Sequence, residues 1–134
     1  MSAEPFITPY AKSLGISRHS IEDGAPVLAI DFGPIVEGRP GALHGGAISG
    51  LLETAGYATL RARLDAEGRH PRFKPINITV QFLSTGKQKT SYAKGRITRL
   101  GRRSANLTVE AWQDDRDRPI ATAVMNIMLT DGGG

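Results

Sequence analysis

With 134 residues, 40 % hydrophobic and 22 % charged, the chain has the balance of one globular domain that buries a core unaided, not that of a disordered tail. It has no cysteine, which excludes disulfides and thiolate metal ligation and accords with a reducing compartment. A net charge of +4 and a sequence pI near 9.8 invite an anionic partner. Aromatics make up only 6 % and none forms a stacking pair near the densest basic run, Arg96-Ile97-Thr98-Arg99-Leu100-Gly101-Arg102-Arg103. That compact cluster suits a small phosphorylated ligand better than a nucleic-acid backbone.

The N-terminal stretch MSAEPFITPYAKSLG has no long apolar run and carries two prolines, so neither a secretion signal nor a membrane span is expected, and a cytoplasmic location is. Residues 6–14 are expected to form a short helix after Pro5, with Pro9 set against it. Residues 16–22 and 27–32 read as extended runs around an Asp23-Gly24 turn, and residues 33–40, rich in Gly and Pro, as a loop.

Residues 46–64 form the one convincing long helix. Ile48, Leu51, Leu52, Ala55, Ala58 and Ala62 recur at helical spacing, while Ala47, Ser49, Gly50, Gly56 and Thr59 keep the other faces narrow. A helix that is small or apolar nearly all round is a buried one. Gly50 and Gly56 each cost about 1 kcal/mol relative to alanine, a loss that close approach of sheet or partner backbone would offset. Arg61 and Arg63 suit the negative C-terminal end.

After Pro75 the pattern is strand. Ile76, Ile78, Val80 and Phe82 alternate with Asn77, Thr79 and Gln81; residues 84–89 make a turn; residues 90–98, 105–111 and 120–129 follow as further strands. Short polar connections predict an antiparallel meander, and one buried helix against it predicts an α+β layer with the sheet wrapped around the helix. The expected organisation is a single domain over 1–134, with 1–14 an N-terminal extension and 131–134 a frayed tail.

Glu53 stands out. It is the only formal charge between Gly41 and Leu60, and His44, nine positions earlier, is the one histidine there. Burying an unpaired carboxylate is costly, so such a group needs a partner, such as an arginine, or a chemical task. Gly45 and Gly46 open the helix, where backbone N–H groups and partial positive charge await an acceptor. A carbonyl oxygen could sit against the Gly45 N–H; the plainer alternative is that two glycines merely let a loop enter a helix. His44 is a candidate to donate to that carbonyl, to orient water, or to cap the helix. Tyr57, one turn beyond Glu53, lines the pocket or packs in the core. Ser49 lies in Ala47-Ile48-Ser49-Gly50, which is not a nucleophile elbow. His19, His44 and His70 lack metal-ligand spacing, and no phosphate-binding glycine loop is present.

Taken together, Gly41-x-Leu43-His44-Gly45-Gly46, the acid nine residues after His44, the strand Ile76-Asn77-Ile78-Thr79-Val80-Gln81-Phe82-Leu83 and the Ile97-Thr98-Arg99-Leu100-Gly101-Arg102-Arg103 break resemble a hotdog-fold acyl-CoA thioesterase of the phenylacetate-degradation (PaaI-like) type. The resemblance covers residues 15–129. It implies hydrolysis of an acyl-CoA thioester without metal or organic cofactor. It also implies a homodimer, assembled further into a homotetramer, with active sites at the dimer seam and neither nucleic acid nor membrane as partner. Glu53 would be general base or nucleophile, with His44 and the Gly45 N–H polarising the carbonyl. Gly46, Asn77, Phe82, Arg99, Gly101, Arg102 and Arg103 would hold substrate and coenzyme A. Two positions depart from the pattern: Gly38 stands where the family often has Asn or Gln, and Pro75 where it often has Ser or Thr. Two rivals stay open. One is a hotdog acyl-thioester hydratase or dehydratase, whose typical Phe-Pro-Gly is absent after His44; the other is a non-catalytic acyl-CoA or nucleic-acid binding module.

Overall fold

Asp23 and Gly24 both take positive φ (52° and 78°), the backbone of a tight hairpin turn, and they join β1 (Ser17–Glu22) to β2 (Ala25–Ile30). The computed structural model describes residues 7–131; Phe6 of the expected first helix and residues 132–134 of the expected frayed tail lie outside them. The first helix, α1 (Pro9–Ser13), is a single turn capped by Thr8, whose hydroxyl accepts from the Ala11 N–H at 3.2 Å. After β2 a 3₁₀ turn (Pro34–Val36) leads to the long helix α2 (Gly45–Ala66). Then come β3 (Arg72–Phe82), β4 (Ser91–Leu100), β5 (Ser104–Trp112) and β6 (Ala121–Thr130).

The strands make one six-stranded antiparallel sheet in the order β1-β2-β4-β5-β6-β3. The expected meander therefore holds for β4, β5 and β6 but not for β3, which pairs with β6 from Arg72↔Thr130 to Phe82↔Ala121. The segment expected to be a turn between neighbouring strands is instead a crossover. It passes the start of α2, where the Leu43 N–H donates to the Gly86 carbonyl at 2.9 Å and the Leu83 N–H to the Ile120 carbonyl at 2.8 Å. β3 also begins earlier than Pro75. An edge strand tolerates a proline, and the pairing shifts by a bulge between Pro75 and Asn77.

α2 lies across one face of the sheet. Leu51, Leu52, Ala55, Ala58, Leu60 and Leu64 are fully covered there, facing Leu28, Ala93, Leu107, Val109, Met125 and Ile127. The glycines mark where backbones meet. A β-carbon on Gly56 would overlap Met125 Sδ, and one on Gly95 would stand 3.3 Å from the Gly56 Cα. The Gly95 N–H donates to Thr59 Oγ1 at 3.2 Å, joining sheet to helix. At Gly50 the close neighbours are Leu14 and Tyr10, so the N-terminal segment packs on α2. The free edge, by contrast, is apolar and open: Ile76, Ile78, Phe82 and Leu83 are all exposed, Phe82 by 56 %.

Candidate active site

His44 ends the loop before α2 with extended backbone (φ −65°, ψ 135°), and its Nδ1 accepts the Gly46 N–H at 2.8 Å. It is thus the helix cap. A ring nitrogen that accepts carries no hydrogen, so in the neutral ring the proton sits on Nε2, which is left as a donor. The Gly46 N–H is spent in this bond. The Gly45 N–H has no hydrogen-bond partner among the described residues and stands at the positive end of the helix. A β-carbon on Gly46 would press on His44 Nδ1 at 3.0 Å; one on Gly45 would touch the Phe82 ring at 3.4 Å.

His44, Gly45 and Phe82 border a cavity of about 720 Å³. Leu43, Ile48, Phe82 and Leu83 give it apolar walls, and Glu37, Arg39, Ser84 and Thr85 add polar groups. The loop before His44 is drawn tight. Glu37 Oε2 accepts the Gly41 N–H at 2.7 Å, the Gly38 N–H donates to the Ala42 carbonyl at 2.9 Å, and the His44 N–H to the Val36 carbonyl at 2.7 Å. A β-carbon on Gly38 would lie 3.0 Å from the His44 Cα, a backbone atom with little freedom to yield. A side chain at Gly38 would therefore need the His44 backbone to give by a few tenths of an ångström.

Glu53 is elsewhere. Nine residues along α2 place it about 13 Å from His44 down the axis, and it does not border the cavity. Half-buried rather than enclosed, it makes no ion pair among the described residues; its one hydrogen bond is from the Tyr57 hydroxyl to Oε2 at 3.5 Å. Burial first, then the charge of Glu53 and this hydrogen bond, push the Tyr57 phenol up to about 12. The Tyr57 ring stacks on Phe73 with centroids 6.1 Å apart. The Arg61 guanidinium sits 4.1 Å from the centre of that same ring and donates to the Pro71 carbonyl at 3.1 Å. Ser49, Glu53, Tyr57 and Arg61, four residues apart, form a half-open stripe on an otherwise covered helix.

Of the residues expected to hold substrate and coenzyme A, only Phe82 borders the cavity, beside the catalytic candidates His44 and Gly45. Gly101, Arg102 and Arg103 form the turn between β4 and β5. The backbone of that turn is pinned. Arg69 donates to the Gly101 and Arg102 carbonyls at 3.3 and 3.2 Å, and the Leu129 N–H to the Arg103 carbonyl at 2.7 Å. The Arg102 and Arg103 side chains are exposed and make no ion pair among the described residues. Arg69 follows the C-terminal end of α2, a helix about 33 Å long, so one protomer holds this turn far from His44. Arg99 is exposed on β4 opposite Asn106. Asn77 accepts from Asn126 at 2.7 Å, and Asn126 is bonded to Asn106, a ladder across β3, β6 and β5 on the sheet face away from α2.

Sequence reasoning missed this ladder and the Tyr57–Glu53 bond, although the four-residue spacing of the latter was a readable signal. Leu43, Ile48, Leu83 and Thr85 reach the cavity from segments whose meeting no local pattern announces. Among the described residues no group of three His, Asp or Glu could hold a metal ion, and no helix is long and apolar enough to cross a membrane.

A six-stranded antiparallel sheet around one long central helix, with a glycine-lined start to that helix, defines a hotdog-fold protein. The sequence model of the thioesterase superfamily matches residues 40–120, and the chain belongs to that superfamily. A solved structure from Chromobacterium violaceum is 33 % identical with a TM-score of 0.73, covering 92 % of this chain and 85 % of that one. A thioesterase from Haemophilus influenzae superposes with a TM-score of 0.81 at 15 % identity, covering 91 % and 82 %. A phenylacetic acid degradation-related protein from Ralstonia eutropha gives 0.75 at 21 % identity, covering 90 % of each chain. No curated protein matches the sequence.

Proposed function

We propose that the protein hydrolyses an acyl-CoA thioester to the free acid and coenzyme A. Water adds to the thioester carbonyl, the C–S bond breaks, and the sulfur leaves as thiolate and takes up a proton. The observation that carries the reading is the Gly45 N–H, unpaired among the described residues, beside a histidine whose cap leaves Nε2–H as donor, at the wall of a cavity with an apolar side. Two such donors aimed at the developing oxyanion would each contribute about 3 kcal/mol to the transition state. Glu53 is the base that activates water, or the nucleophile that forms a mixed anhydride.

Glu53 is about 12 Å along α2 from Gly45, so a complete site takes Glu53 from one protomer and His44 with Gly45 from another. The open apolar edge at β3, with Ile76, Ile78 and Phe82 exposed, supports a homodimer seam there, and pairing of such dimers gives a homotetramer. The same arrangement lets Arg102 and Arg103 of one protomer serve the phosphates of a substrate held at the other's cavity, with Arg99, Gly101 and Asn77 as neighbours. The absence of a polar side chain at Gly38, where a β-carbon would crowd His44, favours a second reading, a non-catalytic acyl-CoA binding protein.

The test is release of free thiol from a panel of short, long and aryl acyl-CoAs by the protein and by Glu53→Gln, which keeps the side-chain shape. Turnover that falls about 10²–10⁴-fold in the variant supports the proposal. Binding of acyl-CoA without turnover by the unaltered protein selects the second reading, and a variant with more than a tenth of the original kcat removes Glu53 from the chemistry.

A further inference from the structure

The half-open stripe of α2 carries a polar group beside Glu53 that the proposed chemistry leaves without a task. Tyr57 is one helical turn further on, its hydroxyl directed back at Glu53 Oε2 at 3.5 Å. Its ring is set by Phe73, stacked at an interplanar angle of 23°, and Phe73 is covered in turn by Arg61, itself tied to the Pro71 carbonyl. A hydroxyl on a ring held this firmly has little choice of direction. Glu53 has no other hydrogen-bond partner and no ion pair among the described residues. Among the described residues Tyr57 is the one side chain that hydrogen-bonds the carboxylate.

We infer that Tyr57 is a positioning residue for the Glu53 carboxylate: its hydroxyl holds Oε2 and so turns Oε1 toward the water or thioester carbon. The inference rests on the role proposed for Glu53. A donor to one carboxylate oxygen fixes the rotation about the last side-chain bond, which is otherwise broad. It leaves the second oxygen free to take a proton or attack. The phenol, raised to about 12, stays protonated at any working pH and always acts as the donor. At 3.5 Å the bond is long for an O–H donor, and such contacts commonly tighten when substrate closes the site.

Tyr57→Phe tests this, because it keeps the ring on Phe73 and deletes only the hydroxyl. The expected result is a fall in kcat of about tenfold, the low end for a bond to a charged acceptor, with KM within about twofold and an unchanged melting temperature within a few degrees. The decisive measurement is the same substitution made in Glu53→Gln. A residue that acts through Glu53 costs nothing further once the carboxylate is gone, whereas a merely structural tyrosine slows both backgrounds by the same factor. An unchanged kcat in Tyr57→Phe, or equal losses in both backgrounds, overturns the inference and leaves Glu53 in place. Full activity in Glu53→Gln alone overturns the proposed function and this inference with it.

Discussion

Replacing His44 separates its two duties, capping α2 and donating to a carbonyl. In His44→Ala the Gly46 N–H loses its acceptor. Loss of a cap costs about 0.5–2 kcal/mol, and for an exposed histidine about 1 kcal/mol is the fitting value. With 134 residues at about 2.1 cal/mol/K each, the unfolding entropy is about 0.28 kcal/mol/K, so the melting temperature should drop about 3.5 °C. His44→Asn supplies a side-chain oxygen of the most favoured capping type and should recover most of that loss. It does not supply Nε2–H at the same reach. If this donor faces the oxyanion, kcat stays down by about 10²–10³ in both variants while only stability recovers in the second. Thermal unfolding by circular dichroism and thiol release read the two effects separately. Recovery of kcat along with stability in His44→Asn would show that His44 is a cap alone and refute its part in catalysis.

Gly56→Ala should lower stability by about 1–3 kcal/mol, because the new β-carbon overlaps Met125 Sδ and crowds Val109 across the helix–sheet contact; an unchanged denaturation midpoint would contradict this packing. Tyr57 should titrate at about 12 by ultraviolet difference absorbance and move down part of the way in Glu53→Gln, which removes the charge but leaves the burial that is the first cause. Its folded value lies above the unfolded one, so this contribution to stability is full below about pH 10 and is lost as pH rises to about 12. A Tyr57 transition that ignores Glu53 would count against the contact between them.

The helical repeat of Ile48, Leu51, Leu52, Ala55 and Ala58 made α2 readable, because a period near 3.6 on a small-residue background leaves one physical solution, a helix under a sheet. The sheet was readable strand by strand but not in its order. Alternation in Ile76, Ile78, Val80 and Phe82 tells which side of β3 is apolar, not which strand lies beside it. Glu53 was legible as the single charge in an apolar run, whereas its depth was not: the Glu53–Tyr57–Arg61 face opens toward β3 rather than into the core. The basic run was legible as a cluster, yet the turn at Gly101–Arg103 and its pinning by Arg69 depend on a contact 32 residues away in sequence. At His44 the chemistry of the residue type could not decide between cap and donor, because one imidazole nitrogen serves each duty.

A site shared between protomers is the centre of the account, and complementation tests it most directly. Glu53→Ala and His44→Ala proteins should each be nearly inactive alone. Mixed under subunit exchange, they form heterodimers with one doubly altered site and one unaltered site. With random pairing about half the dimers are mixed and half of their sites are unaltered, so about a quarter of the original activity should return. If both residues of a site come from one chain, every site carries a lesion, and a mixture that stays inactive despite exchange confirmed by mass spectrometry would contradict the account.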